Sequence, residues 1–334
     1  MREGYVKSCP SKKIRSHMIK LLTPSFLIVF TTCLLTSFSG PVPPQQKPVL
    51  RTVIIDAGHG GRDNGAKGDY SFEKDICLDI ALNLGKKLEA QLPDVKILYT
   101  RTTDVYPTIH ERAEFANANK GDLFISIHVN AGPKIRHSKY AGTRKEVYYK
   151  GKGTKRKKYT RTVPKYTVYY TDNPSHGTET YIWAADRTDE KEKFIANDVV
   201  SAEEVLDSTE VVPDINDPAF KAKALLWTKR FFDKSYMLAS LVEEEFVKEG
   251  RFSRGVKQRN HKGIWVLQAT SMPSILVETG FITFKKDEEY LNSEKGQDEI
   301  SNNVMEAVKR YKAALEGRQV SIHSDKSEET KKAF

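Results

Sequence analysis

The sequence predicts an α/β fold with a mostly parallel sheet. Strand-like apolar runs alternate with segments of helical period through residues 52–130, the pattern of βα units. Three runs then hand an ionisable group to a loop end: Val53-Ile54-Ile55 leads through Asp56 to His59, Phe124 to Ile127 to His128, and Ile275-Leu276-Val277 to Glu278. In open α/β sheets ligands gather at the carboxyl ends of strands, so these positions also mark a candidate site.

The elements follow in order. Residues 1–40 read as a targeting segment: a basic region through Lys20, then Leu21 to Ser39 without a charge. Ser37, Ser39 and Gly40 suit cleavage of a signal peptide, while the apolar run also approaches the ~18 to 20 residues of a retained anchor. Either way export is expected, to the periplasm or cell envelope. Residues 41–50, with Pro41, Pro43, Pro44 and Pro48, form a stiff linker. The body, residues 51–315, starts with the strand at Thr52. Ile76, Ile80, Leu84 and Leu88 predict a helix over Phe72 to Ala90, ended by Pro93. Val95 to Thr100 is the next strand, and Ile109 to Asn119 a short helix before the strand ending at His128.

Residues 134–175 interrupt this alternation. They are rich in Lys, Arg and Tyr, with Glu146 and Asp172 as the acids, and read as a solvated, mobile loop. Their excess charge is comparable to the net +10 of the chain. Structure resumes with a strand at Gly177 to Trp183. Residues 187–217 are acidic and polar, with a short helix expected around Ser201 to Asp207. Phe220 to Lys248 is a long helix, Gly263 to Ala269 and Pro273 to Glu278 are two strands, and Asp298 to Leu315 is the closing helix. Residues 316–334 form a polar tail expected to be disordered. Of three cysteines, Cys9 and Cys33 fall in the N-terminal segment. Cys77 stands alone in the body, so neither a disulfide framework nor a cysteine-rich zinc site is available there; it reads as a small buried hydrophobe.

His59, Glu73 and His128 form a candidate metal set, since two imidazoles and a carboxylate with an open fourth position match several catalytic zinc sites. Glu278, a free carboxylate nearby, could take a proton from the bound water and pass it to a leaving amine. Each ligand also has an ordinary reading. A histidine after a strand can be held structurally, Gly58-His59-Gly60-Gly61 could be a phosphate turn (though no Lys-Ser/Thr follows), and Glu73 suits a helix N-terminus. Glu278 resists such a reading, because ionised carboxylates rarely end buried apolar runs unpaired.

These residues resemble the catalytic domain of the zinc-dependent N-acetylmuramoyl-L-alanine amidases of type 3. Seven blocks carry the resemblance in order. They are Asp56-Ala57-Gly58-His59-Gly60-Gly61, Phe72-Glu73-Lys74-Asp75, Thr100-Arg101-Thr102-Thr103-Asp104 and Arg112-Ala113-Glu114-Phe115-Ala116-Asn117. Ser126-Ile127-His128-Val129-Asn130, Gly177-Thr178-Glu179-Thr180-Tyr181 and the run from Ser274 to Ile282 complete the series. The resemblance implies a three-layer fold, a mixed, mostly parallel six-stranded sheet flanked by helices. It implies one zinc ion on His59, Glu73 and His128, Glu278 as catalytic glutamate, and peptidoglycan as substrate, cut between the muramoyl lactyl group and L-alanine. Asp56 could receive the second ring N–H of a ligand histidine or cap the turn. Asn130 could meet substrate, orient a ligand or simply follow the strand.

Two segments depart from the family core. In members controlled by activator proteins, a helix in the place of residues 187–217 blocks the zinc; Glu203 and Glu204 are the carboxylates here that could do so. The basic insertion 134–175 could grip anionic envelope polymers or lipid surfaces, and export argues against nucleic acid. Two rivals remain: another zinc amidohydrolase or carboxypeptidase acting on wall peptides, and a catalytically inactive wall-binding scaffold.

Overall fold

Strand β1 (Thr52–Ala57) is the pivot of a six-stranded sheet. It pairs in parallel with β2 (Lys96–Tyr99) on one side and β3 (Leu123–Asn130) on the other. Beyond β3 lies β8 (Ser274–Phe281), also parallel, then β6 (Thr178–Ile182), antiparallel to β8, and finally β7 (Ser253–Gln258). The order β2-β1-β3-β8-β6-β7 is therefore mixed and mostly parallel, as expected. The computed structural model describes residues 50–185, 189, 191–196, 217–259 and 263–318. The targeting segment, most of the linker, the helix expected at Ser201 to Asp207 and the tail from residue 319 lie outside the described residues.

Alternation along the strands divides the core into two faces. Val53, Ile55, Leu123, Ile125, Ile275 and Val277 point to one side. There α1 (Glu73–Gln91), α3 (Pro218–Lys248) and α6 (Glu294–Leu315) cover the sheet. Ile54, Phe124 and Leu276 point to the other, against α2 (Ile109–Ala118) and α4 (Trp265–Ala269). Both sides of the central strands are thus buried, which explains their near-continuous apolar sequence. Ile76, Ile80, Leu84 and Leu88 of α1 are 0–1% exposed, and each such side chain contributes about 1.5–3 kcal/mol. Cys77 lies among them as a buried free thiol. Among the described residues no helix is long and apolar enough to cross a membrane.

Three expectations need correction. Gly263 to Ala269 contains no strand: Trp265 to Ala269 is the helix α4, whose Val266 and Leu267 pack into the second core face. A short apolar run cannot be assigned by periodicity alone, and the outer sheet position is taken by β7, a half-buried edge strand with the largely polar sequence SRGVKQ. The helix α5 (Lys285–Leu291) is likewise polar and escapes a periodicity reading. Residues 134–175 are not an irregular loop. They form a separate antiparallel ribbon of β4 (Ile135–Lys150) and β5 (Lys157–Thr171). Alternating Tyr, Thr and Val supply strand propensity in spite of the charge. The third concerns residues 187–217, read as acidic and polar with one short helix at Ser201 to Asp207: residues 191–196 are also helical and bring Lys191 and Ile195 into the interior.

Candidate metal centre

All three predicted ligands meet at the carboxyl ends of β1 and β3. His59 follows β1, His128 lies near the end of β3, and Glu73 opens α1. One donor atom from each lies within 4.8 Å of the other two. Glu73 Oε1 sits between the rings, 3.1 Å from His59 Nε2 and 2.9 Å from His128 Nδ1. The same oxygen accepts from Val129 N at 3.1 Å and Oε2 from Ala66 N at 2.8 Å, so the carboxylate is held at both ends.

The local sequence makes this approach feasible. His59 has left-handed backbone, φ 58°, a conformation that costs a non-glycine residue ~1–2 kcal/mol. Its surroundings hold it there. Gly60 and Asp63 exchange backbone hydrogen bonds, the Asp63 carboxylate lies 2.8 Å from His59 Nδ1, and Arg112 Nη2 donates to His59 O at 2.6 Å. Gly58 is required by contact, because a Cβ there would lie 2.4 Å from the His128 ring. Gly65 is required similarly: a Cβ would meet Glu73 Oε2 at 2.6 Å. Gly60 and Gly61 turn against Val105 and Tyr106.

Two buried arginines anchor the loop from beneath. Arg101 donates to Ala57 O, Gly58 O and Lys74 O, tying β1 to the start of α1. Arg112 donates to Asp56 Oδ1 and to the carbonyls of Ala57 and His59. Asp56 is therefore not the carboxylate behind a ligand histidine. Its oxygens take Arg112 Nη1, Thr100 Oγ1 and Ser126 Oγ, each at 2.6 Å, and Asp63 lies at His59 Nδ1 in its place. Asp56 points into the second face of the sheet, below the loop. Burial alone would raise its carboxyl, yet Arg112 with the Ser126 and Thr100 hydroxyls holds it below the usual range. Neither arginine nor Asp63 was singled out from the sequence. Arg101 and Arg112 nonetheless stand in two of the seven blocks, and Asp63 four residues after His59.

Electrostatics at the cluster favour a positive charge. Burial works against protonating His59, but Glu73 and Asp63 outweigh it and raise the ring to about 9. Glu73, despite burial, is held far below the usual range by the two histidines. A proton or a cation between these groups satisfies both. Two imidazole nitrogens with one carboxylate suit zinc better than magnesium or calcium, which prefer all-oxygen shells.

Glu278 occupies the adjacent strand, in register with His128. It is 6% exposed, its Oε2 has no hydrogen-bond partner, and Arg259 Nη2 stands 3.9 Å from Oε1. Burial raises its carboxyl to about 7; His128 and Arg259 oppose the shift, while Glu73 and Glu179 reinforce it. Glu179 faces Glu278 across the β6–β8 pair and is bound by Tyr181 Oη and Arg254. Asn130 ends β3 with its Oδ1 accepting from Ala131 N at 2.9 Å. Glu203 and Glu204 lie outside the described residues.

Comparison with known proteins places this arrangement. The model of the Amidase_3 family, described as N-acetylmuramoyl-L-alanine amidase, matches residues 53–310. The chain belongs to the N-acetylmuramoyl-L-alanine amidase family. By membership this amidase is a peptidoglycan hydrolase. It is 26% identical over 277 residues to the N-acetylmuramoyl-L-alanine amidase AmiC of Escherichia coli, covering 82% of this chain and 56% of that one. A putative amidase of Buchnera aphidicola is 28% identical over 260 residues, with 78% and 95% covered. The chain thus spans little more than half the length of AmiC. Among solved structures, AmiC2 of Nostoc punctiforme matches with a TM-score of 0.49 at 22% identity, covering 78% of this chain and 96% of that one.

Glu288 of α5 is a further positioning residue that the sequence reading passed over. Its buried carboxylate accepts from the backbone N–H groups of Asp69, Tyr70 and Ser71, and from Ser71 Oγ. It thereby clamps the turn that delivers Glu73.

Proposed function

We propose that this amidase hydrolyses the bond between the muramoyl lactyl group and L-alanine of peptidoglycan with one zinc ion held by His59, Glu73 and His128. The observation that carries this reading is the convergence of those three donors beside a buried, unpartnered carboxylate oxygen of Glu278. Zinc bound there would polarise the scissile carbonyl and lower the pKa of water from 15.7 to ~7. Asp63 fixes the His59 ring so that Nε2 is directed toward Glu73. Glu278 takes the proton of the attacking water at Oε2 and returns it to the departing amine. Burial, which disfavours the ionised form of this carboxyl, helps it hold the proton between the two transfers.

Export to the cell envelope, by a cleaved signal peptide or a retained anchor at residues 1–40, fits that substrate, as does a role in wall remodelling or daughter-cell separation. Control by an activator, with Glu203 and Glu204 restraining the metal, rests on the sequence. Its test is the double substitution E203A/E204A, with increased wall hydrolysis expected. Removing all of residues 187–217 would confuse the result, since buried Lys191 donates to Leu267 O and Thr270 O of the core.

The deciding experiment digests purified wall with wild type and with Glu278→Gln, measuring zinc content and released products in both. Wild type is expected to carry one zinc and release free stem peptides from intact glycan; the variant keeps the zinc and loses hydrolysis. Cleavage within the stem peptide would favour a carboxypeptidase. A wild-type protein without metal that releases nothing would leave only a wall-binding scaffold.

A further inference from the structure

The chemistry above makes no use of the β4–β5 ribbon, which starts five residues after Asn130. No residue of either strand is buried. Between Ile135 and Thr171 there are twelve lysines and arginines and one acid, Glu146, which pairs with Arg161 at 2.8 Å. The charge peaks at the tip, where Lys150, Lys152, Lys155, Arg156, Lys157 and Lys158 have no acid among them. Lys150 and Lys157 are direct cross-strand partners, an opposition of like charges that destabilises a free hairpin. Lysines on an open strand edge deter aggregation, but that role does not require two of them to face each other.

Aromatic rings are interleaved with these cations. Tyr148 stacks on Tyr159 with centroids 5.6 Å apart, and His137 on Tyr169 at 5.1 Å. Arg156 lies over Tyr149 at 4.5 Å. Alternation along β5 puts Tyr166 and Tyr170 on one face and Tyr159 and Tyr169 on the other. Lys158 shares the first face and Arg161 the second. Both faces therefore combine rings with cations, and neither is an apolar side that could enter a bilayer.

We propose that the ribbon is a binding site for a phosphate-bearing anionic polymer of the cell wall, engaged from both faces. A polyanion would relieve the repulsion at the tip. Lysines, which outnumber arginines here, act as point charges and suit phosphates spaced along a mobile chain. Exposed tyrosines offer surfaces for the carbon skeleton between charges. A flat membrane could meet only one face and would leave the other cations unused. The choice of a wall polymer rests on the wall-amidase reading; the charge pattern does not.

The test uses the full chain and long-chain inorganic polyphosphate as probe, with affinity followed by fluorescence anisotropy. Wild type is expected to bind and to lose roughly 10²-fold in affinity between ~50 and ~200 mM salt, as engagement of about four phosphates requires. The variant K150Q/K152Q/K155Q/R156Q/K157Q/K158Q should bind about tenfold or more weakly with a flatter salt dependence, and melt as wild type does by circular dichroism. Single substitutions K150Q and K157Q, less demanding of the hairpin, should each weaken binding measurably. Equal binding by wild type and all variants, or binding insensitive to salt, overturns the proposal. Tighter binding to phosphatidylglycerol vesicles than to polyphosphate overturns it in favour of a membrane surface. Cleavage of a soluble muropeptide, assayed separately, should be unchanged in the variants. Loss of cleavage in wild type with polyphosphate binding intact would sink the amidase reading alone.

Discussion

The His59 loop and the β4–β5 ribbon use the same residue type to opposite ends. Arg101 and Arg112 are 3% and 4% exposed, and every contact they make is to a backbone carbonyl or to Asp56. The ribbon's cations stand in water, and among the described residues Arg161 alone has a carboxylate partner within the ribbon. Buried, a guanidinium is a rigid fork that sets the position of a loop. Exposed, it contributes to a field that reaches about a Debye length, ~8–10 Å, and is weakened by salt. The contrast separates a region where single substitutions should be costly from one where only the sum of many matters.

The largest expected effect lies at the cluster. Glu278→Gln should lower the turnover number by about 10²–10⁴-fold while leaving zinc content and melting temperature close to wild type. A fall in zinc content equal to the fall in rate would instead make Glu278 a ligand. Next comes Arg112→Met, which strands the buried Asp56 charge and should destabilise the fold by about 3–5 kcal/mol in urea unfolding. Its pH dependence should also change sign. In wild type the Asp56 carboxyl lies below its unfolded value, so its contribution is present above about pH 4 and is lost as pH falls through the folded value. Without Arg112, burial raises the carboxyl, and the variant should lose stability as pH rises from the unfolded value through the raised one. Parallel curves for the two proteins between pH 3 and 7 would refute this account of Asp56.

Glu288→Ala should rank third. It leaves three N–H groups of the Asp69–Ser71 turn without their acceptor, the one at Ser71 buried, at about 1–3 kcal/mol, and should weaken zinc binding by chelator competition because Glu73 is delivered by that turn. Unchanged zinc affinity in a folded variant would confine Glu288 to a structural role. Smallest is Tyr148→Ala on the ribbon, expected to shift stability by no more than about 0.5 kcal/mol with muropeptide cleavage unaltered. A loss of cleavage there would mean that the ribbon and the site are coupled, and the contrast drawn above would fail.

The strands of the parallel core were legible because apolar β-branched runs buried on both faces have few other readings. The helix α1 was equally plain from its four-residue spacing. The polar elements β7 and α5 were not, since nothing in SRGVKQ or KKDEEYL carries a period. The ribbon was misread for a related reason: its strands bury no face, so they show none of the apolar alternation by which strands are recognised. At the site, His59, Glu73, His128 and Glu278 stood out as ionisable groups where apolar runs break into loops or a helix begins. Asp63, Glu179 and Glu288 sit in polar surroundings that give no such contrast.

What the sequence determined by itself was the α/β class, the set of ionisable groups offered at strand ends and the chemistry those groups could perform. Their convergence was decided only in three dimensions, because Glu73 reaches the rings through a turn clamped by Glu288, 217–219 residues away from the backbone groups it holds. The same is true of Asp56. Its position in the sequence suggested a partner for histidine, but the strand directs it across the sheet toward Arg112, 56 residues on. Side-chain identity sets which bonds are available; packing determines which of the available partners lies within 3 Å.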